Sequence, residues 1–163
     1  MRSLAPGINE AKTATASLRD NPRRYNVFVR EYAVERISTL IETVTRQLEH
    51  AAKHRDEDAI HDLRVSIRRL SESLRVFHQF FPEDKVKRVR RRLRRLMDFA
   101  AVVRDRDIAL QLLAGAGMPD GDLAALVHQE RDAAERELRL EIRHWKRRDY
   151  PARWPQRLKL ANP

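Results

Sequence analysis

Between His61 and Phe81 the sequence reads HDLRVSIRRLSESLRVFHQFF. At about 100° per residue, Leu63, Ile67, Leu70, Leu74 and Phe77 fall on one stripe of a helix. An apolar seam of this rhythm needs other helices to cover it. The same period places His61, Arg64, Arg68 and Arg75 in a cationic row on roughly the opposite side. Like charges at three- and four-residue spacing repel each other. Asp62 and Glu72 are the only acids in the stretch. A solvated face, or ion pairs with Glu72 and acids of the preceding helix, would account for such a row. A bound anion accounts for it better, because it offsets the repulsion.

The flanking segments carry the same period. Val34, Ile37, Ile41, Val44, Leu48 and Ala51 predict a first helix from Pro22 to about Lys53, with Asn21 as its cap. HRDED interrupts the pattern, and Asp56 or Asp58 can cap a second helix running from about Glu57 to Phe80. Pro82 ends it and opens a third, with Glu83 and Asp84 favourably placed in the first turn. Val86, Val89, Leu93, Leu96, Ala100 and Val103 form the third seam, and Gly115, Gly117 and Pro119 end it. A fourth helix starts near Asp122, with Leu123, Val127, Ala134, Leu138 and Trp145 on its inner face. Tyr150-Pro151 and Trp154-Pro155 predict a broken, irregular tail. Residues 1–20 read as a flexible lead. No strand signal occurs. The expected fold is all-α: an antiparallel bundle of four long helices with an irregular C-terminal tail, in one domain over residues 21–163.

The chain has 163 residues and no cysteine, which excludes disulfides and thiolate metal sites and suits the cytosol. No apolar run reaches bilayer length, so no membrane insertion is expected. The N-terminus lacks the apolar segment of a secretory signal. Net charge is +10 and uneven. Residues 61–106 hold 14 Lys/Arg and 6 Asp/Glu, a net +8, whereas residues 107–135 hold 1 and 6, a net −5. Concentrated positive charge points to a polyanionic partner. Arginine predominates over lysine, and its planar fork suits bidentate phosphate contacts.

Arg88, Arg90, Arg91, Arg92, Arg94 and Arg95 wrap around the third helix, and Lys87, Arg91 and Arg94 make the best single row. Arg104 lies close to its helix's apolar seam. It either pairs with Asp107 or an acid on a neighbouring helix, or borders the anion site. His50 and His54 are four residues apart, but no glutamate completes a hydrolase pattern, so no metal site is expected. Nucleophile-elbow, phosphate-loop and dinucleotide glycine motifs are missing. Neither catalysis nor a cofactor is expected. Trp145, Tyr150 and Trp154 suit anchoring of the C-terminal segment better than base stacking.

The run Ile60-His61-Asp62-Leu63-Arg64-Val65-Ser66-Ile67-Arg68-Arg69-Leu70, continuing to Leu74-Arg75-Val76-Phe77, resembles the signature helix of CHAD domains, the histidine α-helical domains. Leu93-Arg94-Arg95-Leu96, followed by Val103-Arg104-Asp105-Arg106-Asp107-Ile108, is similar to that family's second motif. The resemblance covers about residues 26 to 155. It implies an all-helical domain that binds inorganic polyphosphate through a basic surface. Position by position it carries over His61, Arg64, Arg68, Arg94 and Arg104 as anion ligands. With the rows above, the expected polyphosphate site comprises His61, Arg64, Arg68, Arg75, Lys87, Arg91, Arg94 and Arg104. Ser71 departs from the family pattern, which usually has a basic residue there. Family members usually contain two such bundles, so the chain resembles the first half of a full-length domain. A homodimer, in contact through Trp145 to Leu160, would supply the missing half. The implied location is the cytoplasm, at polyphosphate-containing granules. A nucleic-acid-binding or acidic-protein-binding helical module is the alternative.

Overall fold

The computed structural model describes residues 22–54 and 56–160. The expected lead over residues 1–20 and the Asn21 cap lie outside them. The described residues form five α-helices and one 3-10 turn, with no strand among them. The helices are α1 (Pro22–Lys53), α2 (Glu57–Val76), α3 (Glu83–Gly115), α4 (Asp122–Arg148) and α5 (Tyr150–Arg157); the 3-10 turn is His78–Phe80. The main packing is between successive helices, α1 on α2, α2 on α3 and α3 on α4. Smaller contacts join α1 to α4 and to α5.

Each boundary has a local cause. Asp56 caps α2, its carboxylate accepting the Ala59 N–H at 2.7 Å. That hydrogen bond is the main cause holding the Asp56 carboxyl below its ordinary range. The second helix stops at Val76 rather than Phe80. Phe77 leaves helical geometry, and the next three residues tighten into the 3-10 turn. Pro82 then caps α3 through its carbonyl, which accepts the Lys85 and Val86 N–H groups, both at 3.0 Å. Gly117, at φ 75°, supplies the left-handed residue that closes α3.

The seams of α1, α2 and α3 meet in one core. Ile37, Leu63, Leu70, Leu74, Leu93, Leu96 and Val103 are fully buried within it. The fourth seam differs from expectation at its start. Leu123 is 57% exposed and Ala124 is buried instead.

The tail is a helix, which corrects the expectation of an irregular segment. Trp145 meets Trp154 edge-on at 5.4 Å and Tyr150 at 5.7 Å, and Leu158 and Leu160 are buried beyond them. Burying an aromatic ring of 150–250 Å² is worth roughly 4–6 kcal/mol before ordering entropy. A proline inside a helix costs about 3 kcal/mol. Anchored by three rings, α5 tolerates Pro155.

Candidate anion-binding groove

The site is built on α2 and α3. The positive shoulder of α2, stepping by three and four residues, is His61, Arg64, Arg68, Ser71 and Arg75. It borders the buried seam rather than opposing it: Arg64 is half-buried, whereas His61, Arg68 and Arg75 are exposed. The stripe of α3 turned toward it is Arg90, Arg94, Met97, Ala101 and Arg104. Arg68 and Arg94 line one groove of about 180 Å³, with Ser71 and one acid, Glu72, beside them and Ile67, Leu93 and Met97 forming apolar walls.

On the stripes bordering this groove, Arg64 Nη1 and Arg90 Nε are buried and have no hydrogen-bond partner. Arginine cannot shed its proton, so such a nitrogen carries its desolvation penalty undiminished until an acceptor arrives. Arg90 is not among the expected site residues. The steps Arg90, Arg94, Met97, Ala101 and Arg104 carry its signal, which the surrounding arginines obscure.

The eight expected residues divide by partner. Arg75 pairs with Glu72 at 2.7 Å and Lys87 with Glu83 at 2.6 Å. Lys87 is the main cause holding Glu83 below its ordinary range. Arg104 pairs with Glu57, an acid on the neighbouring helix. The Arg104 hydrogen bond is also the main cause of the depressed Glu57 carboxyl. Among the described residues, His61, Arg64, Arg68, Arg91 and Arg94 have no ion-pair partner. The row Lys87, Arg91 and Arg94 is divided. Arg94 faces the groove, while Lys87 and Arg91 line a separate hollow on α3 with Asp84, Arg88, Arg92 and Arg95.

The Arg-Asp-x-Asp run holds helices together. Arg104 reaches Glu57 of α2, Arg106 reaches Glu130 of α4 at 2.9 Å, and Asp107 accepts from Arg131 of α4 at 2.6 Å. The third helix is thereby tied to both neighbours beside the groove.

The C-terminal stretch does not present the apolar surface expected for a second copy. Trp145 and Trp154 are each 1% exposed, covered by their own chain. The His50 ring, in the last turn of α1, stacks at 4.3 Å on His54, just past the end of the helix.

Residues 35–163 match the family model of the CHAD domain. The match spans most of the chain, and the chain belongs to the CHAD family. CHAD domains are known for polyphosphate binding. No curated protein and no solved structure matches the chain. Among the described residues, no helix is long and apolar enough to cross a membrane.

Proposed function

We propose that this chain binds inorganic polyphosphate, without hydrolysing it, in the groove between α2 and α3. The observation that carries the reading is the groove itself. Arg68 and Arg94 line it without an acid partner, beside Ser71 and a Glu72 carboxylate already engaged by Arg75, and the flanking Arg64 and Arg90 each bury a nitrogen with no acceptor. Phosphate oxygens in the groove would accept charge-assisted, bidentate hydrogen bonds from the exposed Arg68 and Arg94 guanidinium groups. The Ser71 hydroxyl can donate one more. Release of counterions from the polyanion adds to affinity.

Arg68→Ala with Arg94→Ala tests the reading, because both side chains are exposed and unpaired. Affinity for polyphosphate should fall roughly tenfold or more, with helical content unchanged. Undiminished binding would reject the groove. Competition of polyphosphate against DNA and RNA at matched phosphate separates the alternative. Stronger displacement by nucleic acid would replace polyphosphate as the ligand. Released orthophosphate after long incubation with magnesium would overturn the non-enzymatic reading.

Pairing of two copies belongs to this proposal as well. Two basic grooves repel each other until a polyanion bridges them, so the pair should form with polyphosphate present. Light scattering that shows a monomer with and without polyphosphate would reject it.

A further inference from the structure

We propose that α3 carries a second polyphosphate-binding face on the flank turned away from α2, and that a long chain crosses α3 to engage both faces at once. The inference rests on the polyphosphate reading of the groove. The second face is a hollow of about 650 Å³ lined by Lys87, Arg88, Arg91, Arg92 and Arg95 with Asp84 as its single acid.

The charges of this hollow are only partly spent. Asp84 is engaged by Lys85 at 2.8 Å, and Lys87 by Glu83. Arg88 and Arg91 are exposed and have no ion-pair partner among the described residues. Two further arginines are oriented by contacts with α4 and α5, Arg92 by an aromatic ring and the exposed Arg95 by an ion pair. Arg92 lies 3.7 Å over the Tyr150 ring. Stacking uses the face of a guanidinium and leaves its N–H edge for oxygen acceptors. Arg95 is held at 3.2 Å by Glu141, a buried carboxylate that also accepts the Trp145 indole N–H at 3.1 Å. The docking of α5 and the end of α4 thus pre-orders one wall of the hollow. A solvated basic face would have no such anchoring, so these contacts favour a built site.

Helical period makes the two faces continuous. Around α3, Arg91 falls between Arg94, which lines the groove, and Arg88 and Arg95, which line the hollow. An α-helix with its side chains is about 10–12 Å across. A short oligophosphate seated beside Arg94 cannot also reach Arg88, whereas a long chain can pass over Arg91. The second contact is then intramolecular and adds avidity.

The test uses the full chain and two ligands, tripolyphosphate and long-chain polyphosphate, titrated against wild type, Arg88→Ala/Arg91→Ala and Arg68→Ala/Arg94→Ala. The first double variant should bind long chains roughly tenfold more weakly. Its plot of log affinity against log salt should flatten by about one unit for each contact removed. The tight tripolyphosphate site in the groove should be unchanged. The second double variant should weaken both ligands. Long-chain binding by Arg88→Ala/Arg91→Ala that matches wild type in affinity and salt slope would overturn the second face alone. So would an equal loss for both ligands, which marks general attraction. Wild type that binds neither ligand would reject the groove reading and the second face with it. A melting curve checks the fold. Should the alanine pair unfold, Arg88→Lys/Arg91→Lys replaces it, with the same selective loss for long chains because ammonium groups lack the bidentate fork.

Discussion

Glu57 in the first turn of α2 holds Arg104 of α3 in an ion pair, and the Gln111 amide donates to the same carboxylate at 2.8 and 2.7 Å. The pair bridges two helices beside the groove, so Arg104 supports their packing. Arg104→Ala should lower the melting temperature measurably. It should change polyphosphate affinity by less than about threefold. A large affinity loss with unchanged melting would instead make Arg104 a ligand.

Acid should weaken the same junction. Asp56 and Glu57 both have carboxyl groups held below their ordinary range, by the Ala59 N–H and by Arg104 respectively. A depressed native pKa contributes stability that is fully present above the unfolded value. That contribution disappears as pH falls through the native value. Wild type should therefore exceed Asp56→Asn/Glu57→Gln in melting temperature above about pH 5. The gap should close on acidification. A gap that stays constant down to acid unfolding would reject the assignment.

Arg64 sits where function and stability oppose each other. Its Nη1 is buried without an acceptor, and an unsatisfied buried donor costs about 1–3 kcal/mol. Arg64→Met keeps a flexible apolar stem and removes that nitrogen. The variant should be more stable without ligand, by about 1 kcal/mol, and should bind polyphosphate more weakly. Denaturant melts with and without polyphosphate measure both effects. A variant that is less stable and binds equally well would show that Arg64 serves the core.

The salt dependence follows from the number of contacts. Affinity for polyphosphate should fall linearly with log salt, and Arg68→Ala/Arg94→Ala should flatten the line by about two units. Fluorescence titrations across salt concentrations suffice. A flat line for wild type would reject electrostatic binding.

Helices and seams were legible in the sequence because burial imposes a period on apolar residues. Val86, Val89, Leu93, Leu96, Ala100 and Val103 are all buried as their spacing predicts. Period alone does not report whether a neighbour is long enough to cover a stripe. Leu112, Met118, Leu123 and Leu126, around the α3–α4 turn, are all exposed. Nor does it weigh a proline against three aromatic rings, which is why the tail reads as irregular and folds as α5. The site was half legible. His61, Arg64 and Arg68 stand out in a stretch poor in acids. Arg90 is obscured because Arg88, Arg91 and Arg92 around it are also basic. The partners of Arg104 and Asp107 come from other helices, and spacing within one helix carries no trace of them.

Asp107 gives the sharpest test of the helix-tying motif. Its carboxylate is buried and accepts from Arg131 Nε at 2.6 Å, while Arg131 also pairs with Glu135 at 3.1 Å. Glu135 is buried too, and Arg139 engages it at 2.8 Å. Burial pushes the Arg131 pKa down, but the Asp107 hydrogen bond and the charges of Asp107 and Glu135 outweigh it and raise it. Arg131 therefore stays charged at any working pH. Arg131→Met leaves Asp107 in the interior without its cation, and breaking a buried pair in this way costs about 3–5 kcal/mol. Replacing Asp107 as well removes the orphaned charge, so Arg131→Met/Asp107→Asn should be more stable than Arg131→Met alone. The sum of the two single losses should exceed the double loss in a mutant cycle. At temperatures where all variants are folded, polyphosphate affinity should match wild type, since neither residue lines the groove. A single-variant loss below about 1 kcal/mol, the range of exposed pairs, would mean that Asp107 and Arg131 are solvated and that the motif does not tie α3 to α4.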